Sequence, residues 1–309
     1  VSAFLLNRSS ELWSSHCMGM PDLYATSGST AEKLINHNMD YWSLMDAGEY
    51  TYNGYRPTEY TAWERERFGW MGIETLTEPA DITLTTLANK GKAYRIVNDK
   101  DNTGHEYYIV ENVQKKGWNK SLWGKGMMVT HVDYDDYYFS LGGCKVNSTA
   151  GHPRMTLMAA DGMLVPEYYI GETIKESTDE TIKKLNADLI AKYNGQEFSG
   201  TLYKSEAAGD LYSGTSEATS LTDDSTPMKA WTYTGGTMGK PITDITENTE
   251  TGEISFKFMG GKTDGINLIT TGQHTDGRIY SISGTLMTGD RNSLPKGVYI
   301  INGKKMVKE

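Results

Sequence analysis

Cysteine is scarce: the chain has two, Cys17 and Cys144, among 309 residues. Two cysteines exclude a disulfide framework and neither lies in a paired-cysteine metal motif, which leaves either one Cys17–Cys144 bridge or two buried free thiols. Phenylalanine is also rare, 6 residues beside 20 tyrosines and 7 tryptophans. Rings with a polar tip suit half-buried sheets, so the body of the protein is predicted to be β-rich. Positive charge is in deficit: the net charge is -10, and no basic run carries interleaved aromatics, so a nucleic-acid partner is excluded. No apolar run reaches the length of a transmembrane helix. The apolar patch Val1 to Asn7 lacks the basic lead-in and small-residue cleavage site of a signal peptide. That leaves a cytoplasmic chain, or one whose leader has been removed.

What the chain does contain is a histidine followed at three-residue steps by a glycine and a carboxylate: His16, Gly19 and Asp22, within Ser15-His16-Cys17-Met18-Gly19-Met20-Pro21-Asp22. Residues 8 to 20 read as a short helix capped by Ser9 or Ser10, with Glu11 in its first turn and Gly19-Met20-Pro21 ending it. A chain that leaves a helix on a glycine bend can swing a carboxylate back toward the last-turn histidine. That is the spacing of half a zinc site. Trp42-Ser43-Leu44-Met45-Asp46-Ala47-Gly48 follows it.

These two segments resemble the immune inhibitor A-like metallopeptidases, a metzincin-like group with the pattern H-E-x-x-H-x-x-G-x-x-D and a later methionine turn beneath the metal. The resemblance implies that His16 is the second histidine ligand, Gly19 the bend, Asp22 the third ligand and Met45 the methionine of the turn. It implies zinc as cofactor, a protein or peptide substrate, and an open zinc position at which water is acidified.

The pattern is broken upstream. Its first histidine and its glutamate fall on Leu12 and Trp13, which can neither bind a metal nor accept a proton. Ser10-Glu11 is similar to a displaced His-Glu pair, but Glu11 lies two residues too early, a turn of about 200° away from the ligand face. It reads as a solvated first-turn glutamate. The break is abrupt, which points to a truncated or frame-disturbed product rather than to gradual divergence. The chain is expected to be inactive as it stands.

Downstream, Pro57 suits a first helical turn, with Tyr60, Trp63 and Arg67 at helical spacing and Gly69 closing the segment. From Asp81 the period becomes strand-like: Ile82 to Leu87, Ala93 to Val97 and Glu106 to Asn112. Asn98 to Gly104 offers oxygen donors at alternating positions, a pattern that suggests calcium. The distal glutamate of a calcium loop is not matched, so a polar hairpin loop is the stronger reading. His131 and Asp133 share one side of a strand and are expected to form a structural hydrogen bond. Segments Tyr108 to Asn112, Gly126 to Asp133, His152-Pro153-Arg154, Ala160-Asp161-Gly162, Gly209 to Gly214 and Ile254 to Phe258 also resemble the peptidase family. Thr173 to Tyr193 reads as an insertion helix with Ile182, Leu185, Leu189 and Ile190 on one stripe.

After Gly260-Gly261, Asp276 to Gly284 and Leu294 to Lys308 alternate apolar and polar, as a small antiparallel β unit does. This tail resembles the C-terminal sorting domain of proteins exported through the Bacteroidetes type nine secretion machinery. It implies a secreted or cell-surface protein with that machinery as a partner. The expected architecture is α+β: residues 1–78 the C-terminal lobe of a metzincin-like catalytic domain, residues 79–260 an antiparallel β-sandwich-like domain with an insertion at about 171–205, and residues 261–309 a sorting β domain. The competing reading is a non-catalytic secreted or surface protein whose β domain binds a glycan or protein.

Overall fold

The computed structural model describes residues 10–28, 38–149, 151–165, 180–192, 199–262, 278–288, 293–301 and 304–308. The elements are α1 (Ser10–Cys17), α2 (Ala62–Arg67), β1 (Glu74–Thr75), β2 (Ala80–Leu84), β3 (Tyr94–Val97), β4 (Glu106–Val113), β5 (Gly126–Asp133), β6 (Met155–Leu157), α3 (Glu180–Lys192), α4 (Gly200–Ala207), β7 (Ile242–Glu247), β8 (Ile254–Phe258), β9 (Ile279–Ser281), β10 (Leu286–Met287), β11 (Gly297–Ile301) and β12 (Lys304–Lys308). The protein is thus mixed α+β, with several sheets, mostly strands and few helices. Among the described residues no helix is long and apolar enough to cross a membrane.

Two compact units are present, Val1–Lys262 and Thr263–Glu309. The first is built on β4, whose eight residues are all buried. Its side chains alternate between two cores, as the two-residue period of a strand requires. Tyr108 and Val110 join Ile96, Met127 and Val129 in packing against Ile82, Leu84, Ile254, Phe256 and Phe258. Tyr107 and Ile109 pack instead with Val132, Met20, Leu23, Met45, Ala62 and Trp63. A strand buried on both faces has to be apolar almost throughout, and β4 reads that way apart from Glu106, Glu111 and Asn112.

The central sheet has the order β1-β3-β4-β5-β6, with β1 parallel to β3 and every other pair antiparallel. A second sheet, β2-β8-β7, is antiparallel and aligns Ile82 with Phe256 and Leu84 with Ile254. Asp81, Thr83, Ser255 and Lys257 take the outer positions, so this sheet keeps one wet face. The expected boundary between residues 78 and 79 does not separate two bodies. Met20, Met45 and Trp63 share one core with Tyr107, Val132 and Met155, and dividing the chain there would expose both sides.

The helix expected from Pro57 begins later, at Ala62. Thr61 and Glu64 form a capping box: Thr61 Oγ1 accepts from Glu64 N, and Glu64 Oε2 accepts from Thr61 N at 2.6 Å. This reciprocal pair satisfies two otherwise orphaned donors and fixes where the helix can start. Asn98 to Gly104 is the hairpin loop between β3 and β4, and the Asp101 carboxylate accepts from Thr103 N and Oγ1, His105 N and Glu106 N. The backbone of the insertion forms α3, while the side chains of Ile182, Leu185, Leu189 and Ile190 lie outside the described residues.

The second unit is a four-stranded antiparallel sheet, β10-β9-β11-β12, around Ile279, Leu294 and Tyr299. Tyr299 closes its own turn by donating to Pro295 O at 2.8 Å.

Candidate metal centre

α1 ends as its sequence requires. Gly19 N donates to His16 O at 2.9 Å, Met20 N donates to Ser15 O at 3.0 Å, and Gly19 takes φ +93°, a left-handed conformation that glycine adopts without steric cost. The reversal brings the Met20 carbonyl to 2.7 Å from His16 Nδ1. A carbonyl only accepts, so Nδ1 carries the proton and Nε2 presents a lone pair whenever the ring is neutral. Nε2 faces Asp22 Oδ1 at 3.1 Å. Asp22 Oδ1 is buried and has no hydrogen-bond partner.

The turn from Ser43 to Gly48 lies beside this pair. Leu23 N donates to Met45 O at 2.9 Å, and the Met45 side chain is 0% exposed among Met20, Leu23, Met39 and Leu44. Glu64 holds the turn in shape: its Oε1 accepts from Ser43 Oγ at 2.7 Å and from Met45 N at 3.2 Å. Burial pushes the Glu64 carboxyl up, against the lowering effect of its hydrogen bonds from Ser43, Thr61 and Met45. Gly48 closes the turn by donating to Ser43 O at 2.9 Å. A Cβ on Gly48 would come within 2.3 Å of both Ser43 O and Thr58 Cγ2. Gly48→Ala is therefore expected to cost about 1–3 kcal/mol through overpacking, read as a lowered urea midpoint; an unchanged midpoint would show that the turn yields freely.

Of the residues singled out in the sequence, His16 and Asp22 meet, Gly19 makes the bend between them, and Met45 is bonded through its carbonyl to Leu23 N. Among the described residues before them, neither Leu12 nor Trp13 supplies a ligand. Leu12 packs into the core. Trp13 is 65% exposed and touches His16 only edge-on, with centroids 6.2 Å apart. The side chain of Glu11 lies outside the described residues.

Cys144 is a neighbour that the sequence did not reveal. Its thiol sits 3.5 Å from Asp22 Oδ2 and receives the Asp22 N–H at 3.4 Å. Both cysteines are free, and Cys17 is exposed rather than buried. Burial pushes the Cys144 thiol up and the Asp22 charge adds to this. His16 and Asp22 fit zinc as two donors. They do not make a set of three with Cys144, since the only trio of metal-type ligand atoms within 4.8 Å of one another among the described residues is elsewhere, at Asp161, Glu206 and Asp210.

The expected His131–Asp133 pair is divided. Both project from the same face of β5, but His131 Nε2 lies 2.9 Å from Glu106 Oε1 on the neighbouring strand. Asp133 accepts from Arg154 Nη1 at 2.8 Å and pairs with His152 Nε2 at 2.6 Å. In an antiparallel ladder the diagonal neighbour is as reachable as the residue two along. Compared with known proteins, the chain matches no family model, no curated protein and no solved structure.

Proposed function

We propose that the first unit carries the C-terminal lobe of a metzincin-like zinc metallopeptidase of the immune inhibitor A-like type, sharing one core with the β-rich part that follows it, and that this chain does not itself hydrolyse peptides. The observation that supports the metal reading is the approach of His16 Nε2 to an Asp22 oxygen without a hydrogen-bond partner, at 3.1 Å. A neutral imidazole nitrogen and a carboxylate oxygen both offer lone pairs, and a cation between them relieves their repulsion. His16 and Asp22 would hold zinc, which when bound makes water acidic enough to attack a carbonyl. Leu12 and Trp13, in place of the first ligand and the base, leave no group to take the proton. The tail is read as a sorting domain for export, which makes the protein secreted or cell-surface.

The test is a protease assay on a generic protein substrate with added zinc, alongside zinc analysis after dialysis. We expect no turnover, and zinc that His16 and Asp22 bind weakly and lose on dialysis. Turnover abolished by His16→Ala would overturn the inactivity. Zinc binding that is unchanged in both His16→Ala and Asp22→Asn would overturn the ligand assignment.

A second reading, a non-catalytic protein that binds a glycan or protein, draws on a cleft of about 350 Å³ lined by Leu44, Pro57, Tyr60, Arg65 and Trp118. Trp118, beyond β4, presents an exposed ring of the kind that stacks on sugars and peptides. Binding on a glycan or peptide array that is lost in Trp118→Ala would favour this reading.

A further inference from the structure

A second group of carboxylates lies away from His16. Asp161 follows β6, Glu206 is in the last turn of α4, and Asp210 lies just beyond it. Each brings one carboxylate oxygen within 4.8 Å of the other two. Glu206 is 0% and Asp210 2% exposed. Gly209 makes the approach possible, because a Cβ there would stand 2.8 Å from Asp161 Oδ2.

The donors around the group are few. Trp42 Nε1 donates to Asp210 Oδ2 at 2.8 Å, Met163 N donates to Asp161 Oδ1 at 3.1 Å, and Lys192 Nζ lies 2.5 Å from Asp161 Oδ2. Asp40, bonded to the Tyr203 hydroxyl at 2.7 Å, adds a further negative charge that acts on Glu206. Both Glu206 oxygens and Asp210 Oδ1 are buried with no hydrogen-bond partner. Leaving such groups buried and uncompensated is strongly unfavourable.

The spacing suits an ion. Two oxygens that each lie 2.3–2.6 Å from one calcium are at most about 5 Å apart. The donors are all oxygen, with no imidazole or thiolate, which selects a hard cation over zinc. We propose that Asp161, Glu206 and Asp210 form a buried binding site for a hard divalent cation of the calcium class, which clamps the segment after β6 to the end of α4.

In the absence of the cation, burial pushes the Glu206 and Asp210 carboxyls well above the usual carboxylate range, and Asp161 pushes in the same direction against the partial relief from Lys192. Groups raised in the folded state lend stability below their unfolded pKa and lose it as pH rises. Asp40, Asp161, Lys192 and Tyr203 are the other ionisable groups facing the pair. A cation bound at neutral pH replaces those protons.

The full chain, freed of metal, is melted in EGTA and in calcium chloride, with parallel magnesium and zinc arms. Terbium luminescence excited through the tryptophans reports occupancy beside Trp42. Calcium at a hundred times its dissociation constant is expected to raise the melting temperature by roughly 5 °C or more, and terbium to luminesce and be displaced by calcium. Glu206→Gln and Asp210→Asn should each weaken calcium binding at least tenfold, yet melt in EGTA at or above the wild-type temperature, since an amide does not have to take up a proton on folding at neutral pH. His16→Ala should leave the calcium response intact, which separates this site from the zinc reading. The proposal is overturned by a chain that neither shifts with calcium nor binds terbium, by a calcium response that survives both carboxylate variants, by zinc outcompeting calcium there, or by variants that are less stable than wild type in EGTA.

Discussion

Glu106→Gln is expected to destabilise the first unit by about 3–5 kcal/mol at neutral pH, the loss seen when one partner is taken from a buried, hydrogen-bonded charge. Each oxygen of Glu106 receives two donors. Oε1 accepts from His131 Nε2 at 2.9 Å and Tyr233 N at 2.5 Å; Oε2 accepts from Asn98 Nδ2 and Thr234 N, both at 2.9 Å. A glutamine amide would turn its own N–H groups toward two of those donors, leaving buried donors without acceptors. Burial alone would raise this carboxyl, yet the four hydrogen bonds outweigh it and hold the group at about 2. An ionised carboxylate only accepts, so His131 carries its proton on Nε2. The folded pKa lies below the unfolded value of about 4.3. The stabilisation is therefore present above that value and fades as pH falls toward 2. Urea unfolding at pH 7 measures the loss, and a Gln variant as stable as wild type would show that the network adjusts without Glu106.

Glu111→Gln should have the opposite sign. Glu111 lies on the other face of β4, where its Oε1 accepts from Ala62 N at 2.9 Å at the start of α2. Burial pushes its carboxyl up to about 7; Ala62 N–H and Arg65 lower it in part, and Glu64 and Glu59 add repulsion. With the folded pKa above the unfolded one, the stabilisation is complete below about pH 4.3 and is lost as pH rises through 7. At 1.36 kcal/mol per unit, ionising this group above pH 8 costs roughly 3 kcal/mol. Glutamine keeps the acceptor for Ala62 and cannot ionise. The variant should match wild type near pH 4.5 and exceed it by about 2–3 kcal/mol at pH 8.5. Unfolding free energies for both chains across that range provide the test, and parallel pH profiles would rule out Glu111 as the source of the slope.

The two glutamates show what can be read from a sequence and what cannot. The apolar runs of β4 and β5 are visible in the residues, and so is the glycine that ends α1, because both are local patterns. The His16–Asp22 meeting also depends only on a seven-residue reversal. The capping box at Thr61 and Glu64 went unread, because Pro57 offered a competing start. Opposite fates for Glu106 and Glu111 were not legible: Glu106 is satisfied by Tyr233 and Thr234, and Glu111 by Ala62, through pairings set only once the sheet is packed. The same holds for Asp161, Glu206 and Asp210, which lie in segments far apart in the sequence and meet only in the packed fold. His131 followed the strand period correctly, but its partner lay on the next strand.

The pairing of β2 with β8 has a consequence in time. Thr83 and Ser255 face each other from positions 172 residues apart. At about 5–20 residues per second, the ribosome needs roughly 10–35 s to deliver β8 after β2 has emerged. Throughout that interval Ile82 and Leu84 have no partner strand, and an unpaired apolar edge is an open template for association with other chains. The three-stranded sheet is expected to be the last part of the first unit to close, so the yield of folded protein should depend on translation speed and on chaperone cover during that interval.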